Sequence, residues 1–560
     1  MRWHLPVSAL LISKMIISNM TNKLTLAALA TGVLLCSCAG GNGTNGGQTV
    51  QNMYDRVCIT DESTIAHTVY GDIQGYKDGA IYTFKGIQYA QAKRFMPPTA
   101  PQKHDGVLKC RVYGPKAPQT QTFDWDGNPQ TDYAFGNQFI REPMDEEGCL
   151  VLNVWTQGLN DGKKRPVFVW IHGGGYSSGS GHDLPCYEGR ALAEKGDVVT
   201  ITLNHRLNLL GYADLTALGG VFSNSVNLGM QDIVKALEWV RDNIAYFGGD
   251  PGNVTIAGQS GGAGKVSTLL AMPSAHGLFH KAIIQSGSTL RHALPETTRP
   301  VGEAFAKYLG FSAANPEKVN DYTYAELLEA YGKVTSEGRS PMSGLRLIGS
   351  PVVDGNILPR HPFDPDAPEI SKDIPVIIGT DFNEFSFENT PMTEAEAMAV
   401  LQERYGDRTQ EYIETFRKVY PEKTPREMVA IDLSFTPGAI RQASLKSRQD
   451  AKVYAYLFTW QPKTNYLAAS HGMELPFMFN NVMLQPEMTG NTPEAHVLED
   501  IMSSAWISFM KTGNPSTPQL AWEPFTEERP ATMIFDDQCR IRVNDADVEK
   551  LYMEFGRPAF

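Results

Sequence analysis

Apolar positions gather in short runs separated by stretches of helical period. Residues 150–155, 167–172, 198–203, 254–257, 281–285, 374–379 and 452–460 are nearly unbroken apolar segments, the pattern of strands covered on both faces, while 81–90 alternates before turning. The run at 452–460 is the last strand this pattern predicts. Over 230–245, Ile233, Leu237, Val240 and Ile244 share one helical face, and Gly248-Gly249-Asp250-Pro251 closes the helix. A second helix over about 493–511 stops at Gly513-Asn514-Pro515. Strand runs alternating with helical ones predict an α/β fold with a mostly parallel central sheet flanked by helices. The stretches between about 293 and 372 and on to 449 are polar, helical and loop-like, and no interior segment has linker composition. Residues 53–560 therefore read as one domain with long insertions.

The N-terminus breaks the pattern. Residues 24–35 are apolar and follow Lys23, too short to span a bilayer and suited to the core of a secretory signal. Ser37-Cys38 resembles the junction at which bacterial lipoproteins are cleaved and lipidated at the cysteine, although Cys36 is an unusual residue two places before the cut. Met20 is an alternative start. The reading is a signal peptide over 1–37, a lipid-bearing Cys38 and a Gly/Asn-rich tether over 38–52. It predicts an exported bacterial protein, periplasmic or anchored at the outer membrane, with secretion after ordinary cleavage as the alternative.

Composition narrows this only modestly. A hydrophobic fraction of 42 % and charged fraction of 20 % fit a globular chain, and a net charge of −13 with no basic stripe excludes a general nucleic-acid binder. Of seven cysteines, Cys58, Cys110, Cys149, Cys186 and Cys539 lie beyond the leader, without C-x-x-C or metal-ligand spacing. Nothing implies a metal or an organic cofactor.

The chemistry centres on residues 253–272, where a strand run, the turn Gly258-Gln259-Ser260-Gly261-Gly262 and a helical run follow in order. That order suits a nucleophile elbow, a tight turn that exposes a serine hydroxyl. A second G-x-S-x-G, around Ser177, leads into no helix and is the weaker candidate. A hydrolytic serine needs a general base, an acid to orient the base, and donors for the oxyanion. Among downstream histidines, only His471 follows a buried strand near the C-terminal end. Asp381, Glu384 and Glu388 compete as the acid in the loop after 374–379. His172-Gly173-Gly174-Gly175 ends another strand, and consecutive glycines let amides converge on one oxygen, with Gly261 adding another; His172 itself reads as structural.

The chain resembles the type-B carboxylesterases of the α/β-hydrolase fold, which include para-nitrobenzyl esterases, animal carboxylesterases and cholinesterases. The resemblance runs from about residue 80 to 535, through Phe84-Lys85-Gly86-Ile87-Gln88-Tyr89-Ala90, Cys149-Leu150-Val151-Leu152-Asn153, the glycine loop, Asn204-His205-Arg206-Leu207, Phe247-Gly248-Gly249-Asp250-Pro251, the elbow, Gln285-Ser286-Gly287, Val353-Asp354-Gly355 and Thr512-Gly513-Asn514-Pro515. It implies Ser260 as nucleophile, Glu384 as acid, His471 as base, and Gly174, Gly175 and Gly261 as the oxyanion hole. Gln259 and Gly261 stand where the family commonly has Glu and Ala, and Asn383-Glu384-Phe385 where it has Asp-Glu-Gly. Cys149 occupies a position that pairs in many relatives with a cysteine of a C-P-Q stretch; here that stretch is Ala117-Pro118-Gln119, so the expected partner is Cys110.

The implied activity is hydrolysis of small to medium uncharged carboxylic esters through an acyl-enzyme, with Phe385 and Phe477 as pocket candidates. The alternatives are deacylation of glycans, or carbamate or lactone hydrolysis, by the same residues. A non-catalytic, neuroligin-like binding module is the rival of another class. The expected partner is a small-molecule ester, with membrane contact only through the lipid; oligomeric state is left open.

Overall fold

The computed structural model describes residues 58–119, 143–335, 349–464 and 466–556, all within one compact unit. The leader, Cys38 and the tether lie outside the described residues.

The central strands are β1 (Val151–Thr156), β2 (Arg165–Ile171), β3 (Val199–Leu203), β4 (Gly249–Gln259), β5 (Lys281–Gln285), β6 (Val376–Asp381), β7 (Val453–Phe458) and β8 (Ala531–Phe535). They belong to a 12-stranded sheet in the spatial order β1-β3-β2-β4-β5-β6-β7-β8. Every pairing from β3 to β8 is parallel, and β1 joins β3 antiparallel. Parallel neighbours need long crossovers, which helices such as α1 (Leu228–Asn243) and α2 (Gly261–Leu269) supply. Ile81–Gln88 extends the β1 edge and Arg540–Val543 the β8 edge, both antiparallel.

Period-two alternation sends side chains of each strand into two separate cores. Val167, Val169 and Ile171 of β2 join Ile256, Ile284 and Ile378 on one face, whereas Phe168 and Trp170 join Ala257, Ile283, Ile377 and Tyr454 on the other. Both faces are covered, which is why these strands read as continuous apolar runs. Full burial of each large aliphatic side chain contributes roughly 2 kcal/mol.

The structure corrects three expectations. The strand at 452–460 is not the last, because β8 follows it, a five-residue apolar strand lying beyond the terminal motif. β4 begins at Gly249, and its register shifts between Gly249 and Val254, so its polar first half carries no strand signal. Cys110 and Cys149 form no bridge: all five described cysteines are free. Cys149 Sγ points to the Glu146 carbonyl at 3.6 Å, and both thiols are buried.

The carboxyl ends of β4, β5, β6 and β7 are level, with Gln259 opposite Gln285, Gln285 opposite Gly379 and Gly379 opposite Tyr456. Loops leaving these ends converge on one crevice, as open α/β sheets favour.

Candidate active site

Ser260 sits between the last residue of β4 and the first of α2 with φ 58° and ψ −128°, a backbone conformation that side-chain-bearing residues rarely adopt. Its N–H donates to the Gln285 carbonyl (2.8 Å), and its carbonyl accepts the Gly264 N–H (3.1 Å). The flanking glycines are there for space. A β-carbon on Gly258 would lie 2.4 Å from the Gly262 carbonyl carbon, and one on Gly262 would lie 2.1 Å from the Ile171 oxygen. Ser260 stays partly exposed at the crevice floor.

The glycine loop leaves β2 directly against this turn, since a β-carbon on Gly173 would lie 3.3 Å from Ser260 Cβ. Gly174 and Gly175 have φ of 81° and 61°. Successive carbonyls of the loop are all engaged. His172 O accepts from Lys265 Nζ (3.3 Å), Gly173 O from His172 Nδ1 (2.9 Å), Gly174 O from the Ser177 and Ser178 amides (3.2 and 3.0 Å), and Gly175 O from Lys265 Nζ (2.7 Å). No hydrogen bond among the described residues uses the Gly174 or Gly175 amide. Gly261 opens α2, so its N–H has no intrahelical acceptor. Two amides from the loop and one from the elbow thus remain as free donors.

The Glu384 carboxylate oxygen Oε2 holds His471 Nδ1, and the His471 N–H donates back to the Glu384 carbonyl (2.8 Å). Both side chains are buried, and His471 Nε2 has no hydrogen-bond partner among the described residues. Gly472 brings the His471 loop onto the elbow: a β-carbon there would lie 3.7 Å from Gln259 Nε2, beside Ser260. The imidazole stacks on Phe385 (centroids 4.5 Å apart) and tilts against Phe435 (5.5 Å).

Asp381 and Glu388 do not reach the imidazole. Asp381 Oδ2 accepts the Gly472 N–H (2.8 Å), its N–H donates to Glu384 Oε1 (2.9 Å), and Glu388 pairs through its backbone with Leu467. Burial, reinforced by Glu474 and Glu384, drives the Asp381 carboxyl well above its ordinary value, with the Gly472 N–H acting against it. Burial also raises Glu384, with His471 acting against it, and raises Glu474, which accepts from Gln285 Nε2 (2.9 Å). His172 is structural: it stacks on His205 (4.8 Å), and burial holds both rings neutral. Ser177 lies in a turn of the glycine loop. Phe385 is open to solvent, whereas Phe477 is fully buried against Phe458 and Trp460 and lines no crevice.

Sequence reasoning missed Lys265, Phe435 and the Asp381–Glu474 pair. Lys265 carried one usable signal, a lone cation in a run of small and apolar residues after the elbow. The others had none at the level of spacing.

Seven parallel-paired strands, a serine on a strained strand-to-helix turn, a glycine loop against it and a Glu–His pair from later strands define an α/β-hydrolase. The chain belongs to the carboxylesterase family, whose pattern matches residues 62–550, and it is an ester-hydrolysing enzyme. It is 34 % identical over 503 residues to the para-nitrobenzyl esterase of Bacillus subtilis (strain 168), covering 87 % of this chain and 97 % of that protein. It is 33 % identical over 498 residues to the phenmedipham hydrolase of Pseudarthrobacter oxydans, covering 85 % and 95 %. Among solved structures, it resembles a Clostridium hathewayi esterase described as able to hydrolyse aliphatic aromatic polyesters, with TM-score 0.79, 36 % identity, and 89 % and 99 % of the two chains covered.

Proposed function

We propose that Ser260, Glu384 and His471 form the catalytic triad of a serine carboxylesterase, with the amides of Gly174, Gly175 and Gly261 as its oxyanion hole. The Glu384–His471 hydrogen bond beside the Ser260 turn carries this reading. It fixes the proton on Nδ1 and leaves Nε2 as the free base. Nε2 takes the Ser260 proton as Oγ attacks the ester carbonyl, and the three amides receive the charge on the carbonyl oxygen. Collapse breaks the bond to the alcohol oxygen, which leaves with the proton from Nε2. Water then attacks the acyl-enzyme by the same route and releases the acid.

The phenyl rings of Phe385 and Phe435 around the base support small to medium, uncharged esters. The likeness to a phenmedipham hydrolase supports carbamates as a second substrate class for the same residues. A fluorophosphonate probe, digestion and mass spectrometry should find the label on Ser260 and lose it in Ser260→Ala, with an ester and carbamate panel run in parallel. Label on Ser177, or none together with no turnover, rejects the assignment.

The apolar segment at 24–35 and the Ser37-Cys38 junction support export with lipidation at Cys38 and anchoring through the tether. Metabolic labelling with an alkynyl fatty acid should mark the protein in its bacterial host and fail in Cys38→Ala. Incorporation that survives the substitution argues against this site.

A further inference from the structure

Three consecutive glycines are the most mobile sequence a chain offers, yet an oxyanion hole needs amides held still before the reaction begins. The loop after β2 must therefore be fastened by something outside itself. Its inner two carbonyls are held locally, by the His172 ring and the Ser177–Ser178 turn. Its outer two, on His172 and Gly175, are held by one residue of the neighbouring helix, Lys265 of α2.

Lys265 is wholly buried, and its ammonium has no acidic partner among the described residues. Its surroundings are the two loop carbonyls, 2.7 and 3.3 Å away, and the Tyr176 ring, whose centroid is 5.2 Å away. A buried cation facing carbonyl dipoles and a ring, with the neutral His172 and His205 rings nearby, is a costly choice for a helix that could carry methionine at this position. Burial lowers its pKa to about 7. The cost points to a task beyond packing.

We propose that Lys265 is a positioning residue of the oxyanion hole, clamping the Gly173–Gly175 loop from behind by its bonds to the His172 and Gly175 carbonyls. The inference rests on the reading of Gly174 and Gly175 as oxyanion donors. With the two ends pinned, the intervening peptides cannot flip, and the Gly174 and Gly175 amides keep facing the crevice. Lys265 also lies on the helix that Ser260 caps, so nucleophile and donors are referenced to one rigid element.

Removing the clamp should loosen transition-state binding more than substrate binding. Lys265→Met should fold with an unchanged or higher urea midpoint, keep KM within about threefold and lose kcat by about tenfold or more, short of the full loss of an oxyanion donor. A trifluoromethyl ketone, whose adduct places an oxyanion in the hole, should weaken by the same factor as kcat. Lys265→Gln, which keeps a donor but no charge, should fall between Met and the native residue. A Lys265→Met enzyme with kcat within about twofold of native, or one whose kcat falls while ketone affinity is unchanged, overturns the proposal. If neither variant folds, a structure of the native enzyme with the ketone decides: Nζ remains on both carbonyls, or its withdrawal from the loop refutes the clamp. Failure of the native enzyme to label at Ser260 would instead reject the underlying triad.

Discussion

Gly261 and Gly175 touch backbone to backbone: a β-carbon on Gly261 would fall 2.1 Å from the Gly175 oxygen and 2.4 Å from its Cα. The elbow and the glycine loop are thus closed onto each other more tightly than an alanine at 261 permits. This gives the sequence departure at 261 a physical meaning, because the smaller residue goes with a closer loop.

Gly261→Ala should therefore act on catalysis, even though relatives commonly carry alanine there. The loop must retreat by about 1 Å while Lys265 restrains it, and a displacement of that size costs up to about a hundredfold in rate. Steady-state kinetics should show a fall in kcat of about ten- to a hundredfold with KM little changed. An unaltered kcat would show that the loop yields freely.

The strain at Ser260 predicts a trade of activity for stability. Glycine adopts a φ of 58° without penalty, so Ser260→Gly should gain about 1 kcal/mol in urea denaturation while losing activity by a factor of about 10⁵ or more. Ser260→Ala, which keeps the β-carbon, should be equally inactive without the gain.

Asp381 ties stability to pH. Its folded-state pKa is raised well above the unfolded value, so the native state binds the extra proton; the associated stability is complete below the ordinary carboxyl range and is lost as pH rises toward the folded pKa. Asp381→Asn imitates the neutral acid and removes that dependence. The stability difference between variant and native protein, in favour of the variant, should widen between pH 5 and pH 8 in urea titrations. A difference independent of pH would mean that Asp381 is ionised in the fold.

Free cysteines make a further prediction. Burial raises the thiols of Cys110 and Cys149 to about 11 and about 12 and pushes Cys186 well above its ordinary value, so none supplies thiolate near neutrality. In the native protein a disulfide reagent should reach Cys58, which is exposed, and leave these three untouched until denaturant is added. A reductant should leave the thermal midpoint where it is.

The parallel sheet was legible because β2, β3, β5, β6 and β7 are buried on both faces and read as apolar runs; β8 and the first half of β4 were not, one beyond the terminal motif and the other polar. The elbow was legible because Ser260 is made by a local strand–turn–helix pattern. Choosing Glu384 over Asp381 needed the family resemblance, since both carboxylates leave the same strand and only the fold shows which meets His471. The expected Cys110–Cys149 bridge failed because the borrowed position lost its partner, and spacing says nothing of where Sγ points. Lys265 and Glu474 escaped notice because each acts through contacts with residues far away in the chain.

The order of strands in the sheet has a consequence for how the enzyme comes into being. The glycine loop follows β2 and the His471 loop follows β7, so the crevice draws together groups some 300 residues apart, from His172 to Glu474. Ribosomal synthesis delivers the serine, its helix and the loop long before His471 exists. A chain arrested before β7 pairs with β6 has a finished elbow and no Glu384–His471 pair beside it. Recovered turnover is consequently a reporter of a late long-range docking event, the pairing of β7 with β6, rather than of the first.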